Sequence, residues 1–151
     1  MAEVDRIVDQ LERAYKGEAW HGPSVTEVLK DVTPAQAAAK PLPKAHSIWE
    51  IVLHIAGWKN AASRRLEGKA QRDPPEGDWP AVGATDEAAW KELLAYLERR
   101  HRELVDITSQ LGDDRLDRPT CEGFSKAYVL LHGMAHHDLY HAGQIAILKK
   151  A

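Results

Sequence analysis

The sequence predicts an all-α fold, a bundle of four long helices, and three observations carry the prediction. Apolar residues recur at helical spacing in four separate stretches, and no stretch shows the alternation of a strand. Capping-box sequences open helical segments at Ser24, Thr33 and Ser47. The prolines fall between the periodic stretches and not inside them.

The first helix is expected from about Val4 to Tyr15, with Val4, Ile7, Val8, Leu11 and Ala14 on one stripe, and Trp20-His21-Gly22-Pro23 breaks it. Ser24-x-x-Glu27 then opens a short extra helical segment, and Thr33-Pro34-Ala35-Gln36 repeats the device. Lys40-Pro41-Leu42-Pro43 must be a loop. The second long helix starts at the box Ser47-x-x-Glu50 and runs to about Leu66; Gly68 and Asp73-Pro74-Pro75-Glu76-Gly77-Asp78 form a long surface connection after it. The third runs from about Thr85 to Gln110, with Trp90, Leu93, Leu97, Leu104, Ile107 and Leu111 at near-heptad spacing. The fourth runs from about Ser125 to Lys149. Such bundles often build their sites in the core, from side chains on facing helices.

The chain has 151 residues, one domain's worth, and 44% of them are hydrophobic, enough for a core without staples. Its single cysteine, Cys121, excludes an internal disulfide framework, and no basic neighbour marks it as a nucleophile. With 20 basic and 23 acidic residues, net −3, no DNA or RNA partner is expected. Arg64-Arg65 and Arg99-Arg100-His101-Arg102 read as solvated helix faces. The N-terminal stretch mixes charges through its apolar residues, so neither a signal peptide nor a membrane span is expected, and the expected compartment is the cytoplasm.

Of the eight histidines, His137 and His141 lie four apart on the fourth helix and share a face. At about 100° per residue that face also carries Leu130, Met134, Gln144 and Leu148, so the pair should point into the bundle. His132 and His136 have the same spacing but lie on the other side, nearer Tyr128 and Leu139, where water or a partner is expected. Two histidines on a core stripe need partners, because an unpaired buried polar group costs about 1–3 kcal/mol. One metal ion would satisfy both; so would carboxylates or carbonyls. A third ligand could come from His54, on the second helix beside Trp58, where the small Gly57 and Ala61 leave room. It could equally be His101, next to the Leu97 and Leu104 stripe. Spacing does not choose between them.

Two segments carry a resemblance. His137-Asp138-Leu139-Tyr140-His141-Ala142-Gly143-Gln144-Ile145 and Ser47-Ile48-Trp49-Glu50-Ile51-Val52-Leu53-His54-Ile55-Ala56-Gly57-Trp58 resemble the C-terminal and second-helix signatures of the DinB/YfiT-like superfamily, and Trp20-His21-Gly22-Pro23 resembles a piece of one of its branches. The resemblance implies a four-helix bundle with a three-histidine metal site at His54, His137 and His141, and leaves His101, His132 and His136 as non-ligands. Three protein nitrogens leave a position open for water or substrate, the arrangement of catalytic sites. The implied cofactor is one divalent ion, zinc or nickel ahead of iron or manganese. Gln144, one turn beyond His141, and Glu50, one turn before His54, are the nearest polar residues for orienting a ligand or touching substrate; Glu50 is also claimed by the cap.

Three readings of function follow. The first is a metal-dependent enzyme, which the resemblance implies to be a thiol S-transferase or a hydrolase acting on a small molecule. A low-molecular-weight thiol would need a pocket for its anionic groups, for which Arg64 and Arg65 are conceivable. The second is a non-enzymatic metal-binding stress-response protein, with the site closed by a fourth ligand such as Glu50 or Asp138 and no adjoining cavity. The third is a structural bundle that binds no metal. Relatives often pair, and the outward Tyr128 and Leu139 would permit a homodimer.

Overall fold

The computed structural model describes residues 1–151 as six α-helices and no strand. They are α1 (Glu3–Lys16), α2 (Val25–Leu29), α3 (Pro34–Ala38), α4 (Ile48–Leu66), α5 (Glu87–Ser109) and α6 (Ala127–Leu148). The expected boundaries hold to within two residues, and the extra segment after α1 is two short helices, one from each of the expected caps at Ser24 and Thr33. No helix is long and apolar enough to cross a membrane.

The caps explain where the helices start. Ser47 Oγ accepts the Glu50 N–H at 3.1 Å while the Glu50 carboxylate accepts the Ser47 N–H at 2.6 Å, and Ser24 with Glu27 repeats this reciprocal pair. Thr33 Oγ1 accepts from the Gln36 N–H, with Pro34 in the first turn. Asp86 caps α5 at 2.8 Å, so that helix begins just after the expected Thr85. An isolated bridge between Pro119 and Lys126 keeps the backbone extended up to Lys126 and delays α6 to Ala127.

The four long helices pack in a closed ring of contacts, α4 on α5 and α6, and α1 on α5 and α6. Their apolar residues fall into two clusters, one around Trp49, Ile55, Leu97 and Ile145, the other around Leu11, Leu104 and Leu131. Each fully buried leucine or isoleucine contributes about 1.5–3 kcal/mol by leaving water. Between the clusters, α4, α5 and α6 each carry a polar residue at 0% exposure: Lys59, His101 and Asp138. A charged layer therefore divides the core.

Three expectations are corrected. The Arg99–Arg102 run is not a solvated face throughout: His101 is in the core, and half-buried Arg100 bonds Asn60 Oδ1 and pairs with Glu103. On α6 the deepest line is Leu131, Asp138, Ala142 and Ile145, while Leu130 and Gln144 are half-buried. The line predicted to be the core stripe is its edge. Tyr128 faces outward as expected, but Leu139 is half-buried and packs on the second cluster.

Candidate metal centre

His137 and His141 leave α6 on one face, and His54 meets them from α4. His137 Nε2 lies 3.1 Å from His54 Nε2 and 3.1 Å from His141 Nε2. One nitrogen of each ring is within 4.8 Å of the other two, with His54 and His141 buried and His137 half-buried.

The outward nitrogens of two rings are already committed. His54 Nδ1 is 2.7 Å from the Asp78 carbonyl oxygen, which only accepts, so Nδ1 carries the proton and Nε2 a lone pair. His141 Nδ1 lies 2.7 Å from Gln144 Oε1, with the same consequence. Two lone pairs thus face His137 Nε2, whose single proton can serve only one of them. Three neutral imidazoles cannot satisfy one another in this arrangement; one cation can. Tetrahedral zinc–nitrogen bonds of about 2.0–2.1 Å place ligand nitrogens about 3.3 Å apart, close to the 3.1 Å contacts here. The residues fit one divalent ion.

Protonation favours the same use. Burial, then the neighbouring His141, His54 and Lys59, pushes His137 down to about 3. Burial also lowers His54 and His141, against the opposing pull of Asp78 and Gln144 respectively. All three rings are therefore neutral near pH 7, the form that ligates metals.

The loop between α4 and α5, expected to be a plain surface connection, forms one wall of the site. Trp58 Nε1 donates to Asp78 Oδ1 at 2.7 Å. The Trp79 ring stacks on His54 (centroids 3.9 Å apart) and on His46 (3.5 Å), both at 6°. Arg65 holds the loop's start by donating to the Gln71 and Arg72 carbonyls. Gly57 serves this loop and not an ion, contrary to expectation: a Cβ there would come 3.2 Å from Pro74 Cβ. The available signal was a tryptophan in an otherwise polar stretch, and periodicity says nothing about where a loop residue points.

Two openings reach the histidines. A cavity of about 380 Å³ adjoins His141, and a shallower recess of about 230 Å³ adjoins His137 and includes Arg65 and Trp58. Gln144 is placed where it can orient His141, and it also lines the larger cavity. Glu50 is not at the site: its carboxylate is held by the Ser47 N–H and faces Lys40 and His46. Asp138 is not a fourth ligand either, since its Oδ2 lies 2.7 Å from Lys59 Nζ in the charged layer.

The remaining histidines are elsewhere. His101 accepts from Lys59 at Nδ1 (3.3 Å), donates from Nε2 to Glu12 (3.0 Å) and stacks on Tyr15. His132 is half-buried and His136 exposed, their ring centroids 6.3 Å apart against 4.4 Å for His137 and His141. Arg64 bonds Asn60. Cys121 Sγ donates to the Arg65 carbonyl oxygen at 3.6 Å.

A family model described as the DinB superfamily matches residues 19–145, most of the chain including all three histidines. No curated protein and no solved structure matches. The chain belongs to the DinB superfamily.

Proposed function

We propose that this DinB superfamily member binds one divalent metal ion through His54, His137 and His141 and is a metal-dependent enzyme acting on a small molecule. The observation that carries the reading is the convergence of three Nε2 atoms, two of them unprotonated lone pairs fixed from outside by Asp78 and Gln144. A closed, non-enzymatic site is disfavoured: neither Glu50 nor Asp138 turns to the histidines, and a cavity of about 380 Å³ adjoins them.

A divalent ion at an open three-nitrogen site lowers the pKa of a coordinated thiol or water and acts as a Lewis acid. The chain's own residues prepare that chemistry. The Asp78 carbonyl and the Gln144 amide hold two imidazoles in the ligating tautomer. Trp79 covers one face of His54 and shields that ring from water. Arg65 gives the His137-side recess a guanidinium, chemistry that suits the carboxylate of a low-molecular-weight thiol and favours S-transfer over hydrolysis.

The test is elemental analysis of untagged protein purified without chelator, beside His54→Ala and His137→Ala. The expected result is about one metal per chain in the parent and little in either variant. Thiol-transfer and hydrolase assays with the metal found then separate the two reactions. A parent that stays metal-free after reconstitution with zinc, nickel, manganese and iron overturns the reading.

A further inference from the structure

The cavity on the His141 side differs in chemistry from the rest of the surface. Its walls come from four places in the chain: Leu42, Ala45 and His46 before α4, Ile51 in the first turn of α4, Trp79 in the α4–α5 loop, and the last turns of α6. No lysine, arginine, aspartate or glutamate lines it, although 43 of the 151 residues (20 basic, 23 acidic) are of those types. The lysines nearest in sequence lie outside it: Lys40 faces Glu50, Lys44 is exposed, and Lys149 is held by Asp31 at 2.6 Å and the Val28 carbonyl at 3.0 Å. Its rim continues the same character, since Leu42, Tyr140 and Ile147 expose 45%, 66% and 64% of their surface. Exposed apolar side chains are unremarkable singly, but three around one mouth form a patch that marks a binding site.

Its polar lining is limited to His46, His141, Gln144 and the tyrosine at the rim. Gln144 spends its carbonyl oxygen on His141 Nδ1, which leaves the amide N–H groups as donors beside that histidine. A charged group moved from water into such a lining finds no counter-ion, and it loses hydration that nothing replaces. An uncharged apolar group loses only unfavourable contact with water, and each of its buried methylenes gains about 0.8 kcal/mol.

We propose that this cavity is the site for the organic substrate, and that it admits an uncharged, largely apolar molecule with any hydrogen-bond acceptor directed at the Gln144 amide. The inference rests on the metal-enzyme reading above and adds the substrate class to it. Anionic character belongs to the Arg65 side or to the metal that the histidines hold. The two openings then divide the labour: an apolar acceptor enters past Tyr140 and Ile147, and a charged co-substrate approaches His137.

The test uses two fluorescent probes that share one ring system, neutral N-phenyl-1-naphthylamine and anionic 8-anilinonaphthalene-1-sulfonate, titrated into the protein as purified with its metal content measured on the same sample. The neutral probe is expected to saturate a single site and to bind at least about tenfold more tightly than the sulfonate. Ala45→Trp, which fills the cavity from its wall, should abolish neutral-probe binding. Ile147→Arg, at an exposed position that folding tolerates, should narrow or reverse the preference by supplying the missing cation. Equal affinity for the two probes, or neutral-probe binding that survives Ala45→Trp, overturns the proposal. Metal present without probe binding sinks the substrate class and leaves the metal reading standing. Selective probe binding by a protein that takes up no metal supports the cavity and removes the enzyme reading.

Discussion

Two polar clusters sit within the same bundle and are built in opposite ways. In the charged layer, Lys59 donates to Asp138 and His101, and His101 donates to Glu12, so donors meet acceptors along a chain. In the histidine cluster three identical neutral groups face one another, and two lone pairs compete for one proton. The first is paired donor to acceptor along its length and closed, with Lys59, His101 and Asp138 fully buried and only Asp138 Oδ1 left without a partner. The second is unsatisfied within itself and opens on two cavities. Buried polarity that completes its own partners marks architecture; buried polarity that needs a further partner marks a site.

The contrast can be broken most forcefully at Lys59. Lys59→Met leaves the Asp138 carboxyl without its partner in the core, where burial already pushes its pKa up. A loss of about 3–5 kcal/mol in urea-unfolding stability is expected, with metal content per folded chain unchanged. A variant as stable as the parent would mean that the layer is not structural. Gln144→Leu probes the other side. Metal affinity should fall by about 10–100-fold, the usual cost of losing a group that orients a ligand, while the metal-free protein unfolds at the parent's midpoint. Competition with a chromophoric chelator measures it, and parent-like affinity would remove Gln144 from the site.

Acid provides the subtlest test. Burial, then Lys59 and Lys16, holds His101 down to about 2. A base depressed in the folded state binds protons more readily when unfolded, so stability is complete above the ordinary value near 6.5 and is lost as pH falls below it. Each such histidine contributes a slope of at most about 1.4 kcal/mol per pH unit. Urea midpoints of chelated protein should drop between about pH 6.5 and 5, and His101→Gln should flatten the drop. An unchanged slope in that variant would assign the acid sensitivity to the histidine cluster alone.

Much of this was legible in the sequence, and what was hidden had physical reasons. Helix positions were readable because Ser24, Thr33 and Ser47 cap locally and because Pro41, Pro43 and Pro74 cannot continue a helix. The pair His137 and His141 was readable from spacing on one helix, but the partner on α4 was not, since periodicity left His54 and His101 equivalent. The structure separates them by what lies opposite: His54 meets imidazoles, and His101 meets Lys59 and Glu12. The charged layer was hidden because Lys59 and Asp138 declare themselves only when α4 and α6 come together, 79 residues apart in the chain. Glu50 was misplaced because one carboxylate could serve either a cap or a site, and the cap holds it at 2.6 Å.

One contact also determines what kind of sequence change the protein can absorb. The α4–α5 loop orients His54 through a main-chain carbonyl, that of Asp78. Every residue supplies such an oxygen, so exchanging the side chain at that position leaves the contact's chemistry intact. Adding or removing a residue between Leu66 and Glu87 shifts which carbonyl arrives there and whether a tryptophan lies beside it. Substitution at position 78 therefore spares the contact to His54 while losing the Trp58 bond, whereas a change in loop length re-specifies the site.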